Sequence, residues 1–386
     1  MTAEKVLFAL LRAAVCQNMP DAQIASLCKP DVLADLYALA HKHDLAHLAG
    51  HALEKLSLPE SEAQAKLRTA KKQAIYRYIR LDHESQRIYD VLADTEIDFM
   101  PLKGAVLRGY YPESWMRTSC DIDVMIPESQ LEKAKSVLVE KLGYTYKGKN
   151  DHDLSLFSPN GLHLELHYMA VDKGRFEKAQ NVLKRMWEDA SGTESCTYHR
   201  VLSDEMFYFY HIAHMAKHIE NGGCGIRPFL DLWILNQKLQ FDPEKRRDLL
   251  TEGGLLPFAE AVEKMAEIWF TSREMDAMSR QLEQYVLRGG TYGALENRIS
   301  IDQTKLGGKG RYALRKIFLP YDTLKYQYPV LQKYRILTPV FEVVRWLKLL
   351  FKGGIKRSVN NLKMNVAVST EVQEQTGSLM SYLGLQ

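Results

Sequence analysis

The sequence contains no stretch approaching the ~20 consecutive apolar residues that a membrane-spanning helix requires, which excludes a helical membrane protein. Its most apolar segment, PVFEVVRWLKLLF (339–351), is too short and is interrupted by Glu342, Arg345 and Lys348. Near the N-terminus, the apolar run after Lys5 is broken by Arg12, and no small-residue cleavage site follows, so no secretory signal is read and a cytoplasmic location is expected. Cysteine is sparse and scattered: Cys16, Cys28, Cys120, Cys196 and Cys224 form no CxxC pair. That excludes a disulfide framework and a zinc ribbon and fits reduced thiols. Cys120 is read as a small packing residue, since nothing near it would activate a thiolate. No internal repeat is present.

What is there is the composition of a globular protein, 46% hydrophobic and 26% charged over 386 residues, enough chain for two or three packed units. The formal net charge of +3 hides an asymmetry. Between Lys305 and Arg357 thirteen Lys or Arg face two acids, Asp322 and Glu342. This local balance of +11 leaves −8 for the rest of the chain. Such a segment is either a solvated helical surface or a site for an anionic partner: nucleic acid, polyphosphate or an anionic membrane.

Three regions follow from the patterning. Residues 1–90 have apolar residues at helical spacing over 36–56 and again from Ala74 to Leu92, with Ser57 or Ser61 as caps after the break at Leu58-Pro59. Residues 91–200 change period. A short strand is expected over Ile97–Leu102, and Asp121-Ile122-Asp123-Val124-Met125-Ile126 alternates as a half-buried strand does. A helix from Gln130 to Leu142 stops at Gly143, and strands near 153–157 and 162–168 flank the turn Ser158-Pro159-Asn160-Gly161, as in a hairpin. Residues 201–386 are helical again, with breaks at 221–223, 253–254, 289–290 and 307–308, and with the basic segment 305–357. The last ~25 residues, polar and rich in Ser, Thr, Gln and Asn, are expected to be partly mobile.

The chemistry concentrates in the middle region. Residues i and i+2 of a strand share a face, so Asp121 and Asp123 present two carboxylates side by side. Such a pair stays ionised most readily with a cation between its members, and oxygen ligands suit Mg²⁺ or Mn²⁺. Glu165, in the alternating run LHLELH (162–167), is the third acid that would complete a two-metal site with ions roughly 3.5–4 Å apart. Upstream, Leu102-Lys103-Gly104-Ala105 reads as a strand end turning into a helix, whose free amides and Lys103 amine would receive phosphate. Taken singly, Lys103 is equally an exposed lysine and Gly104 a turn glycine. Arg117 either reaches a phosphate or pairs with an acid.

Among the histidines, His211, His214 and His218 lie on one helix with Arg227 and Asp231 downstream. HMAKH has the i, i+4 spacing of zinc helices but lacks the glutamate base of a metalloprotease. These residues either line a cleft beside the core or form a polar helix face tied to Arg227 and Asp231. His163 and His167 flank Glu165, and His167 is either a metal-tuning residue or a cross-strand partner. The segment 339–351, with Trp346 and Phe351 beside basic residues, either lies in a membrane interface or packs against other helices, and packing is preferred.

The stretch PLKGAVLRGYYPESWMRTSCDIDVMI followed by LHLELHY resembles the nucleotidyltransferase superfamily related to DNA polymerase β. It is closer still to a bacterial branch of uncharacterised nucleotidyltransferases with LKG in place of the Gly-Ser turn. The stretches HMAKHIENGGCGIRPFLDLWIL, RGGTYG and IFLPYDTLKYQYPVL are similar to that branch too. The resemblance implies an α+β fold with a small mixed-sheet core flanked by helical regions. It also implies transfer of a nucleoside monophosphate from an NTP, with ATP the expected donor, to a hydroxyl on a small molecule, a protein or an RNA. On the matching positions, Asp121, Asp123 and Glu165 would be catalytic and hold the metals. Lys103, Gly104, Ala105 and Arg117 would contact nucleotide, and His167, His214, His218, Arg227 and Asp231 would border the cleft. One position departs from the superfamily pattern: the serine after the turn glycine is Ala105 here. That leaves a second expectation open, a non-catalytic protein on this fold that senses nucleotide or binds an anionic surface.

Overall fold

The computed structural model describes residues 2–170, 176–271, 273–351 and 355–385, with side chains left undescribed over 351–357. The chain forms two compact units. The first comprises Met1–Lys217 with Gly225–Ser279, and the second His218–Cys224 with Arg280–Gln386.

The first unit is built around a five-stranded mixed sheet: β1 (Met100–Pro101), β2 (Asp121–Met125), β3 (Thr145–Lys149), β4 (Asp153–Phe157) and β5 (His163–His167), in the order β1-β2-β5-β4-β3. β2 and β5 run parallel, while β4 and β5 form the antiparallel hairpin expected from the turn at 158–161. Alternation sorts the side chains. Ile122, Val124, Leu154, Leu156, Leu164 and Leu166 point to one face and are buried with Leu81, Ile88 and Leu92 of the Glu62–Asp94 helix and Leu131, Ala134 and Leu138 of the Leu131–Leu142 helix. The opposite face carries Asp121, Asp123, Ser155, His163, Glu165 and His167. One sheet thus has an oily side that seats two helices and a polar side that builds a site.

Local signals explain the boundaries. The Glu62–Asp94 helix starts at Ser61, whose hydroxyl accepts from the Gln64 amide. The Leu131–Leu142 helix stops at Gly143, which takes the left-handed conformation at φ 71°. The stretch 36–56 is two helices, Pro30–Lys42 and Ala46–Leu53, because Asp44 at φ 56° turns the chain between them. β3 carries exposed side chains on a sheet edge, and its sequence TYKGK lacks the apolar alternation that marks the other strands.

The second unit is helical. Ile299, Tyr312 and Val368 make a small core with Leu306, Met364 and Val372. The polar tail expected to be mobile instead forms the helix Thr370–Tyr382, capped by Ser369 and buried along Thr376, Leu379 and Met380. The part of the basic segment at Lys352-Gly353-Gly354 lies outside the described residues.

A buried histidine of the first unit sets a pH dependence. His47 donates its Nε2 proton to the Met116 carbonyl at 2.8 Å. Burial, opposed only in part by that bond and by Asp44, pulls its pKa from 6.5 down to about 4. The folded pKa lies below the unfolded one, so this stabilisation is complete above pH 6.5 and is lost as the pH falls towards about 4. At ~1.4 kcal/mol per pKa unit, the loss amounts to about 3 kcal/mol. His47→Gln, which keeps a donor for Met116, should flatten the urea-midpoint profile across that window; an unchanged acid slope would show that the stability is set elsewhere.

Candidate metal centre and nucleotide site

Register builds the carboxylate cluster. Asp121 stands opposite His163, Asp123 opposite Glu165 and Met125 opposite His167 across the parallel β2–β5 pair. Ser155 of β4 completes the row beside Glu165. On the other side of β2, the Leu102 amide donates to the Asp123 carbonyl at 3.0 Å, which brings the next residue, Lys103, over the cluster.

The Lys103 ammonium donates to Asp123 Oδ1 at 2.6 Å and lies 3.8 Å from Glu165 Oε2. His167 Nε2 lies 2.8 Å from the same Asp123 oxygen and 3.2 Å from Glu165 Oε2. His163 is 3.9 Å from Glu165 and is itself held by Ser155 at 2.7 Å. Burial would push Asp123 up, but the Lys103 charge and the His167 hydrogen bond outweigh it and hold the carboxyl well below the usual range. Glu165 is lowered first by its bond to His167. His167 is raised: burial and Lys103 oppose its charge, and its bonds to Asp123 and Glu165 prevail. Asp121 is raised, by burial and then by the Asp123 charge, because no cation sits as close to it. Negative charge is therefore well balanced at the buried end of the cluster and poorly balanced at Asp121.

Such a donor set fits a divalent cation. Asp121, His163 and Glu165 offer ligand atoms all within 4.8 Å of one another, and so do Asp123, Glu165 and His167. The ammonium already seated between Asp123 and Glu165 demonstrates that this position stabilises positive charge. A further group, His152, Asp153 and His167, meets the same distance condition one strand over.

The turn that delivers Lys103 is tight. Lys103 has φ 48° and ψ −120°, a conformation that side-chain-bearing residues rarely adopt and that costs of order 1–3 kcal/mol. The next residue must be small, because a Cβ on Gly104 would meet Ser119 Cβ at 2.9 Å. A single α-helical turn follows, Gly104–Leu107, continued as a 3-10 turn over Arg108–Tyr110, and the Ala105 amide already donates to the Leu102 carbonyl. Fewer amides are thus open to phosphate than the LKGA motif suggests. The hydroxyl against Gly104 is that of Ser119, held by Arg108 at 2.9 Å.

Arg117 is buried away from the carboxylates. Its Nε donates to Asp231 Oδ1 at 2.7 Å, and Tyr111 donates to the same oxygen at 2.8 Å. Arg227 pairs with Asp44, which also accepts from the Thr118 hydroxyl at 2.7 Å. Arg117, Arg227 and Asp231 therefore brace the segment that leads into β2. His211 bonds the Pro228 carbonyl at 3.1 Å. His214 packs 6.1 Å, centroid to centroid, from the ring of Tyr210, whereas His218 belongs to the second unit. Tyr210 was not singled out from sequence. It is buried where the charges of Lys103, Asp123, Glu165 and Asp121 all act on its phenol, and burial raises its pKa. Its i, i+4 spacing to His214 was the available signal.

Residues 32–271 match a family model described as uncharacterised nucleotidyltransferase. The chain belongs to that family. The match takes in β1 to β5 and the helices Asp204–Glu220 and Arg227–Lys238, and it ends before RGGTYG and IFLPYDTLKYQYPVL. No curated protein and no solved structure matches. Membership of the nucleotidyltransferase family supports nucleotidyl transfer as the general activity.

The two roles open to Arg117 separate experimentally. Arg117→Met strands Asp231 beside Tyr111 and should cost roughly 3–5 kcal/mol in urea unfolding, as breaking a buried pair does. Affinity of the folded protein for a fluorescent ATP analogue should stay unchanged. Lost affinity at unchanged stability would return Arg117 to the phosphate.

Proposed function

We propose that this nucleotidyltransferase moves a nucleoside monophosphate from an NTP, ATP first among them, to a hydroxyl acceptor in a Mg²⁺- or Mn²⁺-dependent reaction. The observation that carries this reading is the in-register placement of Asp123 against Glu165, with Asp121 on the same face and Lys103 above them. Asp121, Asp123 and Glu165 would hold the metal. When bound, the metal activates the attacking hydroxyl and stabilises charge on the departing pyrophosphate.

The remaining roles follow from the chain's own residues. Lys103, a point charge on a flexible stem, exchanges its contact with Asp123 for a phosphate oxygen of the bound nucleotide. Gly104, packed against Ser119, keeps the turn that carries Lys103 close to β2. Glu165, partly open to solvent and kept ionised by its bond to His167, is the carboxylate placed to accept the acceptor's proton. His167, locked between Asp123 and Glu165, fixes the facing of both carboxylates. Tyr210 and His214 line the acceptor side.

A second reading rests on Ala105 and on the Ala105 amide's bond to Leu102: with fewer phosphate contacts, the same site would bind nucleotide without turning it over. Incubation with radiolabelled NTPs and Mg²⁺ or Mn²⁺ over small-molecule, protein and RNA acceptors decides between them. Transfer should fall at least ~10³-fold in Asp121→Ala/Asp123→Ala, several kcal/mol of lost transition-state stabilisation. Transfer that survives the double substitution would sink the proposal. Metal-dependent binding with no turnover on any acceptor favours the second reading.

A further inference from the structure

The helix Thr338–Phe351 turns one row of aliphatic residues outward. Val340, Val343, Leu347 and Leu350 recur at steps of three and four, and Ile336 continues the row upstream. At 100° per residue the four helical positions fall within roughly 80° of one another. All five side chains are between 48% and 88% exposed. The opposite side is anchored: Glu342 accepts from the Leu319 amide at 2.6 Å and from Arg345 Nε at 2.8 Å. The packing expected of 339–351 therefore holds for the side that carries Glu342 and Arg345 with half-buried Phe341 and Leu349, whereas the Val340–Leu350 stripe faces outward.

In sequence, Lys333, Tyr334 and Arg335 directly precede Ile336, and Lys348 stands between Leu347 and Leu350. Tyr326 and Tyr334 are exposed. The Lys333, Arg335 and Lys348 side chains lie over the rings of Tyr334, Tyr321 and Tyr328 at 5.4, 4.5 and 4.6 Å. The segment 305–357 carries the +11 balance. No helix is long and apolar enough to cross a bilayer among the described residues.

From this juxtaposition we infer that the second unit docks on an anionic bilayer surface, with the Ile336–Leu350 stripe in the headgroup–acyl boundary and the flanking Lys and Arg on lipid phosphates. Aliphatics on one arc, tyrosines at its edge and cations that snorkel alongside are what an interfacial helix needs. A second copy of the chain is a poorer occupant, because pairing two stripes would bring one strongly positive segment, with only Asp322 and Glu342 as acids, against another. Nucleic acid would use the cations and leave the stripe exposed.

The test is flotation of the full chain with vesicles of phosphatidylcholine alone or mixed with phosphatidylglycerol, at low and high salt. Binding should require the anionic lipid and weaken with salt. Val343→Ser/Leu347→Ser/Leu350→Ser, which touches only exposed positions, should lower partitioning at least ~10-fold with an unchanged circular dichroism spectrum. Lys333→Glu/Arg335→Glu/Lys348→Glu should do the same through charge. The inference is overturned by absent vesicle binding, by equal binding to neutral vesicles, or by triple-serine binding equal to wild type. It is equally overturned if the stripe substitutions abolish only self-association in sedimentation velocity, or if random-sequence RNA is bound and vesicles are not.

Discussion

Asp123 and Glu165 face each other across two parallel strands, both close to Lys103 and His167, and the first unit is arranged around keeping them there. Two carboxylates at that spacing repel, and Asp123 has lost nearly all contact with water. Neither condition is tolerable without positive charge at hand. Lys103 and His167 supply it by bonding the same Asp123 oxygen. The strand register, the strained turn at Lys103 and the facing of β5 all serve that one oxygen.

That requirement reaches outward through the segment before β2. Thr118 and Ser119 lie just upstream of the strand, before Cys120, and each is held: Thr118 through Asp44, which Arg227 also engages, and Ser119 through Arg108. Ser119 in turn limits residue 104 to glycine. Lys103 can hold an unfavourable backbone conformation because both of its flanks are fixed, Leu102 by the Asp123 carbonyl and Gly104 by Ser119. Burying Arg117 with Asp231 adds little stability by itself; its consequence is a segment with one place to go.

Much of this could be read without coordinates, for a physical reason. Alternation over 121–126 and 162–167 fixes which residues share a face, and the short turn at 158–161 fixes β4 against β5, so the polar face follows from spacing, while the α+β class comes with the family resemblance. Registration of β2 with β5 does not follow, since more than thirty residues separate them and a shift by two would keep every facing while pairing Asp123 with a histidine. The same limit hid Tyr210, whose helix meets the sheet only in three dimensions. Arg117 was ambiguous because a guanidinium four residues before Asp121 can turn either way, and what decides it, Asp231, lies 114 residues on.

The helix at 338–351 marks where periodicity stops being informative. Its apolar spacing is that of any amphipathic helix, and spacing says which residues share a face without saying whether that face meets protein. The preference for packing came from the usual ordering, apolar residues inward. Here a glutamate takes an inward position beside Phe341 and Leu349 because the Leu319 amide and Arg345 satisfy it there, and the stripe of Val340, Val343, Leu347 and Leu350 is left outward. The sign asymmetry of the sequence was the better guide: the segment that carries the stripe holds thirteen cations and two acids, which disfavours a like-charged surface as its cover. An exposed aliphatic stripe in a segment dominated by one sign of charge favours a partner that answers both properties at once.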